Sequence, residues 1–277
     1  MPEGPEIRKA ADKVASAILN QPVLHVAFGQ SHLQHYESAF MNTLVSAVET
    51  HGKAMVTRFK SEKPSEGLNI YTHNQLYGRW VCCQPDQVPP TKRQLRLAIH
   101  TPDQWALLYS ASDIAVLTNQ ELLEHPFFSK LGKDVLDPDM KAEYVAERLL
   151  SRCYRNRQLG NFLTEQSFLA GLGNYLRCEI LFVAGVLPGR KPAELSAKQI
   201  TRLSETILRL PRQSRQTQSI TNDLGRVKQL LVEGSTLEDT RFWVFRRNSL
   251  PCYRCGSLIV KQQSAGQPCY LCISCQK

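Results

Sequence analysis

Four of the nine cysteines in this 277-residue chain stand as Cys252-x2-Cys255 and Cys272-x2-Cys275, with sixteen residues between the two pairs. Two thiolates separated by two residues can reach one tetrahedral ion from a tight turn, and two such turns close a structural zinc site. Cys269 also forms a C-x2-C pair with Cys272, so a second register is open. The thirteen residues between Cys255 and Cys269 are short for a ribbon, which favours Cys252, Cys255, Cys272 and Cys275 as the ligands. Four sulfur ligands leave no open coordination position, so the expected cofactor is one structural zinc ion. It would hold a β-hairpin formed by KQQSAGQPCY (261–270).

The other end of the chain reads MPEGPE. Proline suits the first turn of a helix and glutamate favours the positive end of the helix dipole, which accounts for Pro5 but not for Pro2. If Met1 is removed, the nitrogen of Pro2 becomes a free secondary amine. A third stretch, QSFLAGLGNYLR (166–177), has helical patterns flanking the turn Gly171-Leu172-Gly173-Asn174. A glycine-bearing turn at a helix start exposes N–H groups suited to a phosphate, and Asn174 adds a side-chain donor. A plain helix connector has the same composition.

These residues need a scaffold. The chain has 42% hydrophobic and 21% charged residues, an ordinary globular composition long enough for one or two domains. No apolar run approaches the roughly 18 residues of a membrane span, and the start lacks a signal-peptide pattern, so a cytosolic or nucleoid protein is expected. The net charge of +9 is unevenly spread. Residues 1–140 hold 13 Lys+Arg against 15 Asp+Glu, or −2, while residues 141–277 hold 21 against 10, or +11. Solubility alone explains a mild positive charge, but this asymmetry fits a polyanion-facing second half.

Ile7, Ala11, Val14 and Ile18 form one apolar helical stripe. Six short β-like runs follow, from VLHVAFG to IAVLT, without long helical patterns between them. They predict an antiparallel sandwich or barrel rather than a βαβ array. NQELLEHPFFSKLGKDVLDPDM reads as a connector with a short helix or two. KAEYVAERLL, QSFLAGLGNYLRCEILFVAG and AELSAKQITRLSETILRLP have helical periodicity, whereas residues 212–242 are expected to be a partly mobile link. The resulting fold class is α+β and multidomain.

The motifs MPEGPEIRKAADK, HGKAMVTRF (51–59), THNQLYGRW (72–80), YSASDI (109–114), RNRQ (155–158) and FLAGLGNYLR (168–177), closed by the four-cysteine finger, occur in family order. Over essentially its whole length the chain resembles the formamidopyrimidine-DNA glycosylase and endonuclease VIII family, most closely the bacterial endonuclease VIII branch. The resemblance implies a β-sandwich domain (2–130), a helix–two-turn–helix domain (131–241) and a zinc finger (242–277), with DNA in a basic cleft. It implies a monomer in the bacterial cytosol or nucleoid, acting on double-stranded DNA that contains oxidised bases or abasic sites.

By the same resemblance Pro2 is the nucleophile, Glu3 its acid–base partner and Lys53 a catalytic lysine that contacts phosphate. Glu6 either supports that pocket or is a solvated helix-start carboxylate. An N-terminal amine has an unperturbed pKa near 8, against about 10.4 for lysine, so more of it is neutral and nucleophilic. Gln75, Leu76 and Tyr77 resemble the loop that fills the space left by a flipped base, and point to oxidised pyrimidines. Lys130 and Asn174 match DNA contacts.

One position departs from the pattern. Relatives carry SSRPFYWC where this chain has AGQPCYLC, so Gln267 replaces an arginine expected to clamp phosphate. Cys269 replaces an aromatic, and Ser249 a glycine. Two further readings therefore stand beside a bifunctional glycosylase and lyase: a lesion-binding protein with weakened turnover, and an enzyme confined to abasic sites. Arg254 and Lys261 are candidate substitutes for the missing arginine.

Overall fold

The computed structural model describes residues 2–60 and 67–277, so Met1, whose removal the proline chemistry requires, lies outside the described residues. The chain divides into two compact units, 1–130 and 131–277.

In the first unit, helix α1 (Gly4–Ile18) starts behind Glu3, whose extended backbone makes it the N-cap, with Pro5 in the first turn where its missing N–H costs nothing. Ile7, Ala11, Val14 and Ile18 are all buried, as their spacing predicts. Burying each of the larger ones contributes on the order of 1.5–3 kcal/mol. Strands β1 (His25–Phe28), β2 (Val45–His51), β3 (Ala54–Phe59), β4 (Leu68–His73), β5 (Arg79–Cys83), β6 (Leu95–His100), β7 (Trp105–Tyr109) and β8 (Asp113–Thr118) follow, and helix α2 (Asn119–Glu124) ends the series.

The strands build two antiparallel sheets, β1-β6-β7-β5 and β2-β3-β4-β8. Alternation of side chains sends Val26, Leu97, Ile99 and Leu108 from one sheet, and Met55, Phe59 and Ile70 from the other, into a common core with α1. This is the expected β-sandwich. The outer face of the second sheet is covered too. Ala54, Val56 and Tyr71 pack there against Leu122, Phe127 and Phe128 from the connector.

The second unit contains α3 (Ala142–Leu150), α4 (Leu159–Phe162), α5 (Asn174–Ala184), α6 (Ala197–Gln216), α7 (Leu224–Val232) and α8 (Leu237–Thr240), then β9 (Val260–Ser264) and β10 (Gln267–Leu271). Helix α5 is buried along nearly its whole length and ends at Gly185, whose positive φ of 77° closes the helix in the left-handed conformation. The helical pattern expected across 166–185 is realised only from Asn174. Phe168 and Leu169 are core residues in irregular chain.

The link expected at 212–242 is corrected more fully: α6 continues to Gln216, and α7 and α8 follow. Buried Asn222 donates to the Thr240 carbonyl at 2.7 Å and Asp223 caps α7, so local polar bonds replace the missing apolar periodicity. Cys252, Ile259, Cys269 and Cys272 belong to the same apolar core as α5 and α6.

Candidate active site and metal centre

The sandwich gathers its chemistry at one end of the second sheet. His51 opposes Ala54 across a two-residue turn of Gly52 and Lys53, and the positive φ of Gly52 (61°) suits the first central position of such a hairpin. Ala54 in turn opposes His73, and His73 opposes Asp113. Register therefore sets His73 and Asp113 side by side, and the charge of Lys53, in the adjoining turn, acts on His73.

The start of α1 meets them there. Burial lowers the pKa of Lys53, while the carboxylates of Glu3 and Glu6 lie close enough to pull it back up. Glu3 is itself buried, and its N–H donates to Glu6 Oε2 at 2.9 Å. Pro2 is the residue immediately before Glu3, at the positive end of α1. Glu3, Glu6 and Lys53 are thus brought together by the packing of α1 on the sheet, from positions up to fifty residues apart in sequence, with Pro2 one residue before Glu3.

His73 and Asp113 carried no assignment in the sequence reading. Burial lowers the pKa of His73, with Asp113 opposing and Lys53 reinforcing that shift. Its Nδ1 accepts the Gln75 N–H at 3.1 Å, which fixes a neutral ring with the proton on Nε2. Tyr71 is buried beneath, its phenol pKa pushed up by burial and by the Asp113 carboxylate to which it hydrogen-bonds. The period-two position of His73 after Tyr71 was the available signal, but nothing in one sequence distinguishes such a histidine from one in a core.

The turn after His73 projects outward. Leu76 is 56% exposed and Tyr77 70%, so neither is a buried strand-end residue. The turn is tightly built. Gln75 takes a positive φ of 48°, its Oε1 accepts the Ser112 hydroxyl at 2.8 Å, and Arg93 holds the Tyr77 carbonyl at 2.8 Å. A Cβ on Gly78 would lie 2.6 Å from the Asn74 backbone, so this approach requires glycine. Lys130 is exposed at the end of a short 3-10 helix, Phe128–Lys130.

In the second unit, Asn174 is the first residue of α5, behind Gly173 at the N-cap. Its amide nitrogen donates to the Pro268 carbonyl at 3.0 Å, and its Oδ1 accepts Arg177 Nη2 at 2.6 Å. Arg177 is wholly buried and also donates to the carbonyls of Gly160 (2.7 Å) and Ser264 (3.1 Å). One guanidinium therefore connects α4, the start of α5 and the β9 strand. Sequence reasoning missed it, as it missed buried Glu179. Burial pushes the Glu179 pKa up against the hydrogen bonds it accepts from Thr221 and from the N–H groups of Trp243, Val244 and Phe245.

β9 and β10 pair around Ala265 and Gly266, both at positive φ (50° and 70°), as a primed two-residue turn demands. Gln267 begins β10 and is exposed. Neither candidate substitute stands beside it. Arg254 stacks on Phe182 and Trp243, while Lys261 opposes Tyr270. Ser249 sits at a φ of 62°, a conformation glycine adopts without strain.

The sulfurs of Cys252, Cys255, Cys272 and Cys275 lie within 4.8 Å of one another, with Cys252–Cys275 at 3.9 Å and Cys255–Cys272 at 3.5 Å. Zinc–sulfur bonds of about 2.3 Å in a tetrahedron require sulfurs about 3.8 Å apart, so this set fits the ion. Cys269 faces elsewhere, towards Cys178, which closes the register question.

Residues 1–112 match the Formamidopyrimidine-DNA glycosylase N-terminal domain, and residues 131–223 the Formamidopyrimidine-DNA glycosylase H2TH domain. Two Escherichia coli proteins named Endonuclease 8 are 45% and 44% identical over 276 residues, covering 100% of this chain and of each relative. The fold also matches a crystal structure of Lactococcus lactis Fpg in complex with abasic-site DNA, at a TM-score of 0.80 and 18% identity, over 99% of both chains. The site geometry and full-length identity together place this chain in the formamidopyrimidine-DNA glycosylase and endonuclease VIII family, whose members are DNA glycosylases with abasic-site lyase activity.

Proposed function

We propose that this protein excises oxidised pyrimidines from double-stranded DNA through an amine at Pro2, then nicks the strand at the abasic site. The observation that carries the reading is the convergence of Lys53 with Glu3 and Glu6 at the start of α1, next to a turn that holds Leu76 and Tyr77 out in solvent.

Once Met1 is removed, the neutral Pro2 nitrogen attacks C1′ of the damaged nucleotide and the base leaves with the glycosidic electron pair. The Glu3 carboxylate takes the proton that the Pro2 nitrogen sheds on bonding to C1′ and passes it to the sugar ring oxygen as the ring opens. Because the amine is secondary, the product is a cationic iminium with no proton to lose, an electron sink that acidifies C2′. Removal of a C2′ proton expels the 3′ phosphate by β-elimination, and water then releases the sugar from Pro2. Lys53, as an ammonium held by Glu3 and Glu6, offers charge to a phosphate. Leu76 fits the role of a wedge in the base stack, with Tyr77 as a stacking platform and Gln75 as the amide that meets the orphaned base. Lys130 and Asn174 are assigned to phosphate contacts. The four cysteines hold zinc, which supplies structure at the hairpin. Among the described residues no helix is long and apolar enough to cross a membrane. The enzyme is taken to work as a monomer in the bacterial cytosol or nucleoid.

A second reading keeps the enzyme class but confines it to abasic sites, and Gln267, which lacks the fixed charge of the expected arginine, supports a third, a lesion-binding protein with weakened turnover. One experiment separates the three. Protein is mixed with duplex DNA holding one thymine glycol or one abasic site, and borohydride is added to reduce the iminium to a stable amine. Covalent adducts on both substrates support excision and nicking; an adduct on the abasic site alone supports the second reading. Intact protein that forms no adduct with either is a binder. A retained or acetylated Met1 in active protein, seen by mass spectrometry, removes Pro2 from the mechanism. Metal analysis of purified protein showing zinc near one equivalent, lost on Cys255→Ser, checks the cofactor.

A further inference from the structure

Outside the zinc ligands, two other cysteines lie close together in the core of the second unit. Cys178 on α5 and Cys269 on β10 are ninety-one residues apart, both at most 1% exposed, with sulfurs 3.9 Å from each other. The Tyr270 N–H donates to Cys178 Sγ at 3.4 Å, which sets this sulfur against the β10 backbone. We propose that Cys178 and Cys269 are an oxidisable dithiol whose disulfide ties the hairpin carrying Gln267 to the helix carrying Asn174.

A disulfide needs sulfurs about 2.05 Å apart, so the pair must close by somewhat under 2 Å. A two-stranded hairpin packed on one face is the element best able to make that movement. The oxidant is hydrogen peroxide. Cys269 accepts a hydrogen bond from Cys178 and lies near the Arg177 guanidinium, both of which favour its thiolate, whereas burial pushes the Cys178 thiol up. The Cys269 sulfur attacks the peroxide oxygen, breaks the O–O bond and becomes a sulfenic acid with release of water. The Cys178 sulfur then attacks that sulfur, the S–S bond forms, and hydroxide leaves and takes up the Cys178 proton. Two thiols lose two electrons, and one peroxide becomes two waters. Because both sulfurs are shielded, the hairpin must lift locally before peroxide enters. Their seclusion makes this a slow response to sustained oxidant rather than a fast sensor.

The restraint falls where the structure is already joined. Asn174 bonds the Pro268 carbonyl and Arg177 bonds the Ser264 carbonyl, so a covalent tie at Cys269 removes the remaining freedom of β10 against α5. Its effect on DNA rests on the function proposed above; its formation does not.

The test treats zinc-loaded, full-length protein with hydrogen peroxide, alkylates free thiols after denaturation, and maps peptides without reduction. Cleavage after Tyr270 separates Cys269 from Cys272. The expected result is a Cys178 peptide linked to a Cys269 peptide, two hydrogens lighter than their sum, with zinc retained and the link reversed by dithiothreitol. Cys178→Val abolishes the link. Nicking of abasic DNA should fall several-fold in oxidised wild type, recover on reduction, and stay insensitive to peroxide in Cys178→Val. Cys178 and Cys269 that both stay alkylatable while zinc is released overturn the proposal. A link that forms without slowing nicking overturns the coupling to DNA, and if borohydride trapping has succeeded the proposed function still stands.

Discussion

Substituting Gln267→Arg should restore one phosphate contact at the hairpin tip. The β10 register places Gln267, Cys269 and Leu271 on one face, the latter two buried and Gln267 exposed at the strand start. Neither Arg254 nor Lys261 compensates. Arg254 is fixed over Phe182 at 4.5 Å and Trp243 at 4.8 Å, and its Nη1 lies 3.4 Å from the Phe182 carbonyl. Lys261 is on the opposite ribbon face and three residues from the Ser264–Gln267 pair, roughly 10 Å along the strand. An added guanidinium therefore gains a contact that neither of these two makes. Hydrogen bonds to charged groups contribute about 1.5–3 kcal/mol, and exposure puts this one at the low end, or about tenfold in affinity. Fluorescence anisotropy with an abasic-site duplex across a salt series measures it, and a gel reads the ratio of β- to δ-elimination products. One extra phosphate contact steepens the slope of log K against log salt by about 0.9. Unchanged affinity and products, or tighter binding at an unchanged slope, would refute the reasoning.

Three other substitutions probe the frame around the site. Burial gives Lys53 a folded pKa below its ordinary value, so the free enzyme loses this charge early as pH rises, while folding stability at this residue grows through the same window. The alkaline limb of kcat/KM should fall below the usual lysine range, and Lys53→Arg, which stays charged, should carry that limb upward wherever the variant is active. Gly78→Ala drives a Cβ to 2.6 Å from the Asn74 backbone and should cost about 1–3 kcal/mol in denaturant unfolding. It should depress base excision more than cleavage of a ready-made abasic site, because the Leu76 turn is displaced. Glu179→Gln puts an amide donor against either the Trp243 N–H or the Val244 and Phe245 N–H groups and should lower stability by about 3 kcal/mol, with loss of zinc retention as the companion readout.

The second-unit residues that sequence missed share a physical feature. Arg177 and Glu179 lie on α5, a helix so fully buried that its polar residues do not fall on a separate face. Periodicity reports which face meets water, and a helix with no wet face gives no such report. The opposite case hid α7 and α8, mostly exposed helices whose positions rest on Asp223 and Thr236 caps and on Asn222 rather than on an apolar stripe.

By itself the sequence determined whatever depends on residue type and short spacing: the α1 stripe, the sandwich strands, the hairpin of KQQSAGQPCY, and a metal site written as two C-x2-C pairs. Tertiary structure alone decided which distant groups meet. It set Lys53 against Glu3 and Glu6, placed His73 beside Asp113, excluded Cys269 from the metal cluster and turned it to Cys178. The reason is that local preferences act over a few residues, whereas these encounters follow from strand register and from one helix docking on a sheet. A shift of one residue in β4 would carry His73 to the other face and leave every motif in the sequence unchanged.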